Sequence, residues 1–402
     1  MAIASSNFTI LRYGEYADPT DLSTAPTTIR EIPMTGESLT WQTQSISSQN
    51  INSSRQILDT VQTGYEVSGG INIEFAPVVW DHLMQGVMWG NWQGTAVELD
   101  DVAVSITKAT RTIEFTGAEA PFETTDVAPA SQDGIKAGQF FKLIASASGS
   151  IDADNCGVFQ VETVSDASTA VVKAVDGATP FAGGDDTGNC KVRASMLRAP
   201  ADGSSTNMKK HIFAFEKEQS DLDTPTFTKF TGCRMNTWSL NAQSASLITG
   251  SFDMMGTTSA IATSSIGTTA KKSSFSFNGL NAVSHVDDII VNGENYNGSS
   301  NQQYIQGLDF SVTNNLRGIK AIGQVANVEI GTGMLGITGN LNVFFSTTDL
   351  YTLFTNQTEF PLSYSVFDEN GNGYVFFFPR CVISSDSMSS GGQDQDINLH
   401  AD

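Results

Sequence analysis

The sequence predicts an all-β protein with minor α content: two tandem β-sandwich or barrel domains, each with one short flanking helix, plus an inserted all-β module. Three observations carry this. Runs of alternating or apolar β-rich residues recur along all 402 residues. Clusters of Gly, Asn, Asp and Ser separate them, and helical periodicity is confined to two short stretches. The predicted strands cover 70–75, 140–147, 158–164, 170–175, 212–215, 340–345, 362–367 and 374–378. Turns are expected at Ser68-Gly69-Gly70, Ala182-Gly183-Gly184-Asp185 and Asn370-Gly371-Asn372-Gly373, because Gly and Asn tolerate backbone conformations that other residues resist. In the first helix Pro77 suits the opening turn, and Val79, Leu83 and Val87 repeat at i, i+4, i+8. In the second, Ser346, Thr347 or Thr348 can cap a helix carrying Leu350, Leu353 and Phe354. Helices this short are marginal in water, so each must be held against a sheet.

The tandem arrangement comes from a divergent internal repeat, residues 61–84 laid over 330–354. Thr63-Gly64 falls on Thr332-Gly333, and Val67-Ser68-Gly69 falls on Ile337-Thr338-Gly339 after one extra residue. Ile71-Asn72-Ile73 matches Leu341-Asn342-Val343, and Leu83-Met84 matches Leu353-Phe354. A second pair of segments, 230–235 and 378–383, aligns Cys233 with Cys381. Those cysteines are 148 residues apart, whereas Gly69 and Gly339 are 270 apart; the difference of 122 is extra length in the first copy between Met84 and Cys233. The resulting parse is copy one at 1–92 plus 208–260, an insert at 93–207, a linker at 261–272 and copy two at 273–402. Each part is on the order of a normal domain, as the length alone suggests.

Acids outnumber bases 43 to 21, for a formal net charge of −22. Residues 273–402 are the most lopsided, with 13 acids against Arg317, Lys320 and Arg380. Such a surface repels nucleic-acid phosphate, so gripping DNA or RNA is excluded, although sitting near DNA without adhering to it is not. With 40% hydrophobic residues and 24 Phe, the chain is no disordered acidic tail. The opening residues, Met1 to Phe8, carry no basic or apolar signal region, and no run approaches the ~18 apolar residues of a membrane helix. Synthesis in the cytoplasm without membrane insertion is therefore expected. Cys233 and Cys381 are expected as small buried core residues, while Cys156 and Cys190 both lie in the insert and are left as either free thiols or a pair.

Several motifs have bland explanations. Gly331-Thr332-Gly333-Met334-Leu335-Gly336 spells a dinucleotide fingerprint, but a strand-like run follows instead of the helix that would receive a pyrophosphate. Asp368-Glu369-Asn370-Gly371-Asn372-Gly373 matches half a calcium loop, but its twelfth position is Pro379, so a hairpin turn is expected. His82, His211, His285 and His400 share no ligand or catalytic spacing, and Asp100-Asp101, Asp185-Asp186 and Asp287-Asp288 read as solvated turn acids. No catalytic, cofactor-binding or metal residue is expected. Trp80, Trp89 and Trp92 cluster where the first helix runs into a loop. Large aromatics there either seal the core or anchor a subunit contact.

The order of segments resembles the tail tube, or major tail, proteins of bacteriophages with long non-contractile tails. The resemblance rests on Ile32-Pro33-Met34-Thr35-Gly36-Glu37, the 55–59 stretch from Arg55 to Asp59, and Gly69-Gly70-Ile71-Asn72-Ile73-Glu74-Phe75 running into a helix. It continues through 138–143 and 156–161 of the insert, 212–216, Phe230-Thr231-Gly232-Cys233-Arg234-Met235 and Ser251-Phe252-Asp253-Met254-Met255-Gly256. It implies a β-sandwich or barrel with a flanking helix and a structural, non-enzymatic role. Subunits would self-assemble into stacked rings that conduct the genome from capsid to host. Six tube folds usually make a ring, so a chain with two implies a homotrimer of pseudo-sixfold symmetry, with a hexamer as the alternative. The implied partners are other copies, a tape measure protein, a tail terminator and passing DNA; the implied location is the virion tail, assembled in the host cytoplasm. An outer-membrane-type β-barrel and a secreted β-fold carbohydrate-active enzyme are the rival readings.

Overall fold

The computed structural model describes residues 5–50, 59–92, 97–117, 119–123, 134–147, 149–175, 180–199, 208–267, 269–271, 278–296, 304–389 and 397–402. Residues 55–58 of the resemblance, and parts of the predicted insert and linker, lie outside these. The fold is mostly strand with two short helices, so the all-β expectation holds. In chain order the first elements are β1 (Thr9–Glu15), β2 (Thr28–Glu31), β3 (Gly36–Glu37), β4 (Thr40–Ser47), β5 (Thr60–Glu74) and α1 (Asp81–Met88). Six strands follow: β6 (Val97–Thr107), β7 (Thr112–Phe115), β8 (Phe140–Ala145), β9 (Gly157–Val164), β10 (Thr169–Ala174) and β11 (Asp186–Ala194). Then come β12 (Phe213–Gln219), β13 (Thr226–Gln243), β14 (Thr249–Gly256), β15 (Thr258–Ala262), β16 (Thr269–Lys271), β17 (Val286–Val291) and β18 (Glu294–Asn295). The last are β19 (Ile305–Thr313), β20 (Arg317–Ile319), β21 (Glu329–Gly331), β22 (Gly336–Phe344), α2 (Asp349–Thr355), β23 (Phe360–Phe367), β24 (Gly373–Cys381), β25 (Asp386–Ser389) and β26 (Asn398–Ala401).

The chain divides into two compact units. The first comprises residues 1–87, 210–282 and 307–340. Its spine is β13, eighteen residues long, which belongs to two layers. Its first half pairs with β12 and β15, and its second half with β14 and β19. A register shift between Met235 and Thr237 marks where it turns from one layer to the other, the usual device for a strand that switches sheets. The first layer runs on through β1 and β2, and the second through β5 to β3 and β4. Aromatics fill the space between. Trp238 stacks on Phe252 at 6.1 Å and meets Phe310 edge-on at 5.3 Å, while Trp80 lies 6.1 Å from Phe252. Burying each such ring contributes roughly 1.5–3 kcal/mol.

Two expectations are corrected in this unit. Ser68-Gly69-Gly70 is no turn but lies inside β5. Gly69 has φ of +150°, and a Cβ there would stand 2.4 Å from the Ser38 carbonyl oxygen. The glycine thus permits a local irregularity opposite the break between β3 and β4. The helix expected from Pro77 begins only at Asp81, because Val78 adopts φ of +69° and the chain from Pro77 to Trp80 is a turn. Asp81 then faces the positive end of the helix dipole, and Leu83, Met84 and Val87 are buried on the sheet. Contact is close at Gly86, where a Cβ would meet Phe213 at 2.6 Å and Met235 at 2.8 Å.

The second unit comprises residues 88–209, 283–306 and 341–402. Strands β6 to β11 close into a barrel in the order β10-β7-β6-β11-β8-β9. Alternation along each strand sends Phe141, Leu143, Phe159, Val161, Val172 and Val192 inward, the period-two pattern of a small filled barrel. On its outer face Phe140 meets Phe377 at 4.8 Å, and the Lys142 ammonium sits 3.3 Å above the Phe367 ring and 3.6 Å from Asp287. This joins the barrel to a four-stranded sheet ordered β18-β17-β23-β24. The remaining strands pair as β22 with β26 and β26 with β25. In α2 only Leu350 is buried, and its capping residue Thr348 makes no side-chain cap bond; Thr347 instead donates to Asp349 at 2.8 Å.

Candidate functional site

The chemical motifs resolve into structure. Gly331 ends β21 and Gly336 begins β22, so the fingerprint-like run is a connection between strands. At 368–373 the Asp368 carboxylate accepts from the backbone N–H groups of Asn370 and Asn372, at 2.9 and 2.8 Å. These bonds close the β23–β24 hairpin. All four cysteines are free thiols. Cys190 faces the barrel core, where burial pushes its pKa up to about 12; a thiol so reluctant to ionise is a poor nucleophile. Cys233 is fully buried as expected, whereas Cys381, at the end of β24, is only half-buried.

One polar cluster stands out in the first unit. The Glu15 carboxylate lies 2.6 Å from His211 Nδ1, and His82 Nδ1 lies 3.9 Å from the same carboxylate. Burial and the nearby Arg30 hold the His82 imidazole below its ordinary pKa, against the opposing pull of Glu15. Burial also raises Tyr13 to about 12, partly offset by Arg30. The groups bind one another, tying β1, β2, α1 and the approach to β12; nothing in the arrangement offers a nucleophile to a substrate.

The expected aromatic trio separates by environment. Trp80 is 1% exposed and donates its indole N–H to the Glu74 carbonyl at 3.2 Å. Trp89 is 6% exposed. Trp92 is half-buried, 6.2 Å from the Tyr374 ring. Of the three, Trp92 has the most surface left to offer a neighbour.

What sequence reading missed is a sheet edge. Among the described residues β4 pairs with β5 alone and β25 with β26 alone. β4 is largely exposed, as are residues 60–63 of β5. Trp41, at 48% exposure, leans edge-on against Tyr65 at 5.5 Å, and Ile46 and Val61 are also exposed. The chain between β20 and β21 rests on this hairpin: the Tyr65 N–H donates to the Val325 carbonyl at 3.2 Å, and Lys320 binds both Gln44 and Glu66. Ile322 and Val325 on that segment leave further apolar surface exposed. Open strand edges and exposed apolar side chains are a liability in a monomer and a resource in an assembly.

Comparison with known proteins agrees with a structural role. No curated protein matches the chain. Among solved structures it matches the endosialidase of phage phi92, at 10% identity and a TM-score of 0.15, over 90% of this chain and 61% of that one. The chain thus spans about three fifths of that protein's length, and a likeness at this score carries no argument. The profile of the phage tail tube proteins, by contrast, matches residues 9–402, nearly the whole chain. The chain belongs to the phage tail tube protein family, structural components of the virion tail.

Proposed function

We propose that this protein self-assembles into stacked rings forming the tube of a long non-contractile tail, and that each chain supplies two tube folds. The observation that carries the second point is a shared pairing scheme. In the first half of the chain β5 pairs with β14, which pairs with the second half of β13. In the second half β22 pairs with β26, which pairs with β25. The registers correspond too. Ile71 opposes Phe252, which opposes Trp238; Leu341 opposes Ala401, which opposes Asp386. Trp238 and Asp386 are 148 residues apart, the same spacing as Cys233 and Cys381. β13 of the first fold thus corresponds to β24 and β25 together, and 93–207 to an insertion in copy one.

Two folds per chain make three chains a pseudo-sixfold ring, with six chains as the competing stoichiometry. The net charge of −22 suits a wall that DNA must pass without adhering; repulsion over a Debye length of ~8 Å keeps the genome off the surface without blocking the bore. Tape measure protein and tail terminator are the expected partners, and assembly is expected in the host cytoplasm. Trp92 is a candidate subunit contact. A cryo-EM reconstruction of purified assemblies tests this reading: three chains per ring around an acidic or polar lumen are expected. Six chains per ring would overturn the trimer, and a basic lumen would overturn the role assigned to charge.

A further inference from the structure

The contact between the two repeats inside one chain is a template for the contact between chains. It is made by the second half of β13 and by β19, antiparallel, with Thr237 opposite Thr313, Trp238 opposite Val312, Ser239 opposite Ser311 and Leu240 opposite Phe310. Each strand has a counterpart elsewhere in the chain. The counterpart of 238–241 is β25, at 386–389, through the spacing of 148 residues.

The counterpart of β19 follows from two glycines. A Cβ on Gly69 would meet the Ser38 carbonyl oxygen at 2.4 Å and Leu39 Cα at 2.6 Å. A Cβ on Gly339 would meet the Asp309 carbonyl oxygen at 2.7 Å and Phe310 Cβ at 3.2 Å. The two glycines occupy equivalent places in β5 and β22, so Ser38-Leu39 corresponds to Asp309-Phe310. Leu39 and Phe310 are accordingly buried to the same degree, each 5% exposed. One step further along, the equivalence puts Thr40 on Ser311 and Trp41 on Val312.

At that step burial diverges. Val312 is 3% exposed, covered beside Trp238, while Trp41 is 48% exposed. The first repeat therefore bares an aromatic at the position where the second repeat is sealed by its neighbour. Both strands needed for a second copy of the contact are single-sided: β4 has no partner beyond β5, and β25 none beyond β26, among the described residues.

We propose that β25 of one copy pairs antiparallel with residues 38–42 of the next copy of this chain, in the register Ser387 opposite Thr40 and Asp386 opposite Trp41. This rests on the reading of two tube folds per chain. The occupant of each edge is the other edge, because the β13–β19 pairing shows that these two strand types are complementary within one chain. Main-chain hydrogen bonds hold the joint, and Trp41 is the apolar side chain that the joint removes from water, contributing most of the gain from burial.

Cysteine pairing tests the register. Thr40→Cys and Ser387→Cys are placed on separate chains in a Cys156→Ser, Cys381→Ser background. The two variants are mixed, assembled, treated with a short bismaleimide and run on a denaturing gel, with negative-stain imaging of the same samples. Opposed residues on paired strands have Cβ atoms only ~5 Å apart, so a linked dimer is expected in the mixture and in neither variant alone. The doubly substituted chain is expected to give a ladder. Rings or tubes that form without the linked dimer overturn this pairing and leave the tube reading intact. A preparation that folds, by circular dichroism, yet forms no rings overturns both. Trp41→Lys provides a second readout free of cysteine: folded monomer is retained and the assembled fraction falls, whereas unchanged assembly overturns the joint.

Discussion

The barrel of β6 to β11 and the sheet that ends at β4 solve the same problem in opposite ways. Every barrel strand has a partner on both sides, and alternate apolar side chains point into one closed core. The sheet through β13, β14 and β5 stops at a strand whose outer hydrogen-bonding groups face no described partner and whose Trp41 faces solvent. Closure removes edges and with them any drive to associate; an open edge keeps that drive. On the proposed reading, self-association belongs to the open sheet, while the barrel is held to the β17–β23–β24 sheet through Phe140 and Lys142.

The strongest blow to this contrast is Phe141→Ala, which empties the barrel where Phe141 is 2% exposed and packs against Phe122 and Phe159. It should cost about 3–5 kcal/mol in urea denaturation, with tubes still visible by negative stain at low temperature. Loss of tubes in a preparation that remains folded would make the barrel part of the assembling surface. Next is Gly69→Val in the open sheet. The left-handed φ and the clash with Ser38 together cost roughly 3 kcal/mol or more, and here tube formation should disappear along with stability. Wild-type denaturation midpoints and intact tubes would show that β5 relaxes freely at this point. The smallest effect is on pH dependence.

That effect belongs to His82. Its folded pKa lies below the ordinary 6.5 because of burial and Arg30, countered by Glu15, with His211 adding to the depression. The unfolded chain therefore binds this proton more readily. Stability is fully present above about pH 6.5 and is lost as pH falls through the lower folded value. His82→Gln should flatten the fall in thermal midpoint across that range. An unchanged pH profile would place the titration elsewhere.

Much of the fold was legible because strands announce themselves. All eight predicted runs fall largely within observed strands, and the 370–373 turn sits where Asn and Gly demand it. Failures came where tertiary contact overrode local chemistry. Gly69 and Gly70 looked like a turn because glycine is shared by turns and strand irregularities, and only the closeness of Ser38 distinguishes them. Val78 delayed the start of the helix in a conformation that no residue pattern flags in a β-branched side chain. The open edge at β4 was invisible for a different reason. β4, with Gln, Thr and Ser alternating around Trp41, carries no motif; that its outer side meets no strand among the described residues appears only once the sheet is laid out. The tryptophans drew attention by residue type, yet Trp80 and Trp89 spend their surface inside the chain.

One buried amide ties the making of this protein to the order in which it is synthesised. Asn314 donates from its Nδ2 to the Val87 carbonyl at 2.8 Å and to the Met235 carbonyl at 3.1 Å, so it finishes the last turn of α1 across 227 residues of chain. Until it emerges from the ribosome, that helix end lacks its partner. The outer edge of β13 also waits for β19, which is complete only 70 residues after β13 ends. At ~5–20 residues per second the delay is about 4–14 s. During it, the edge of β13 that β19 will cover stays open. The strand that completes this sheet is therefore among the last parts of the chain to be made, and the sheet closes only after most of the sequence has emerged.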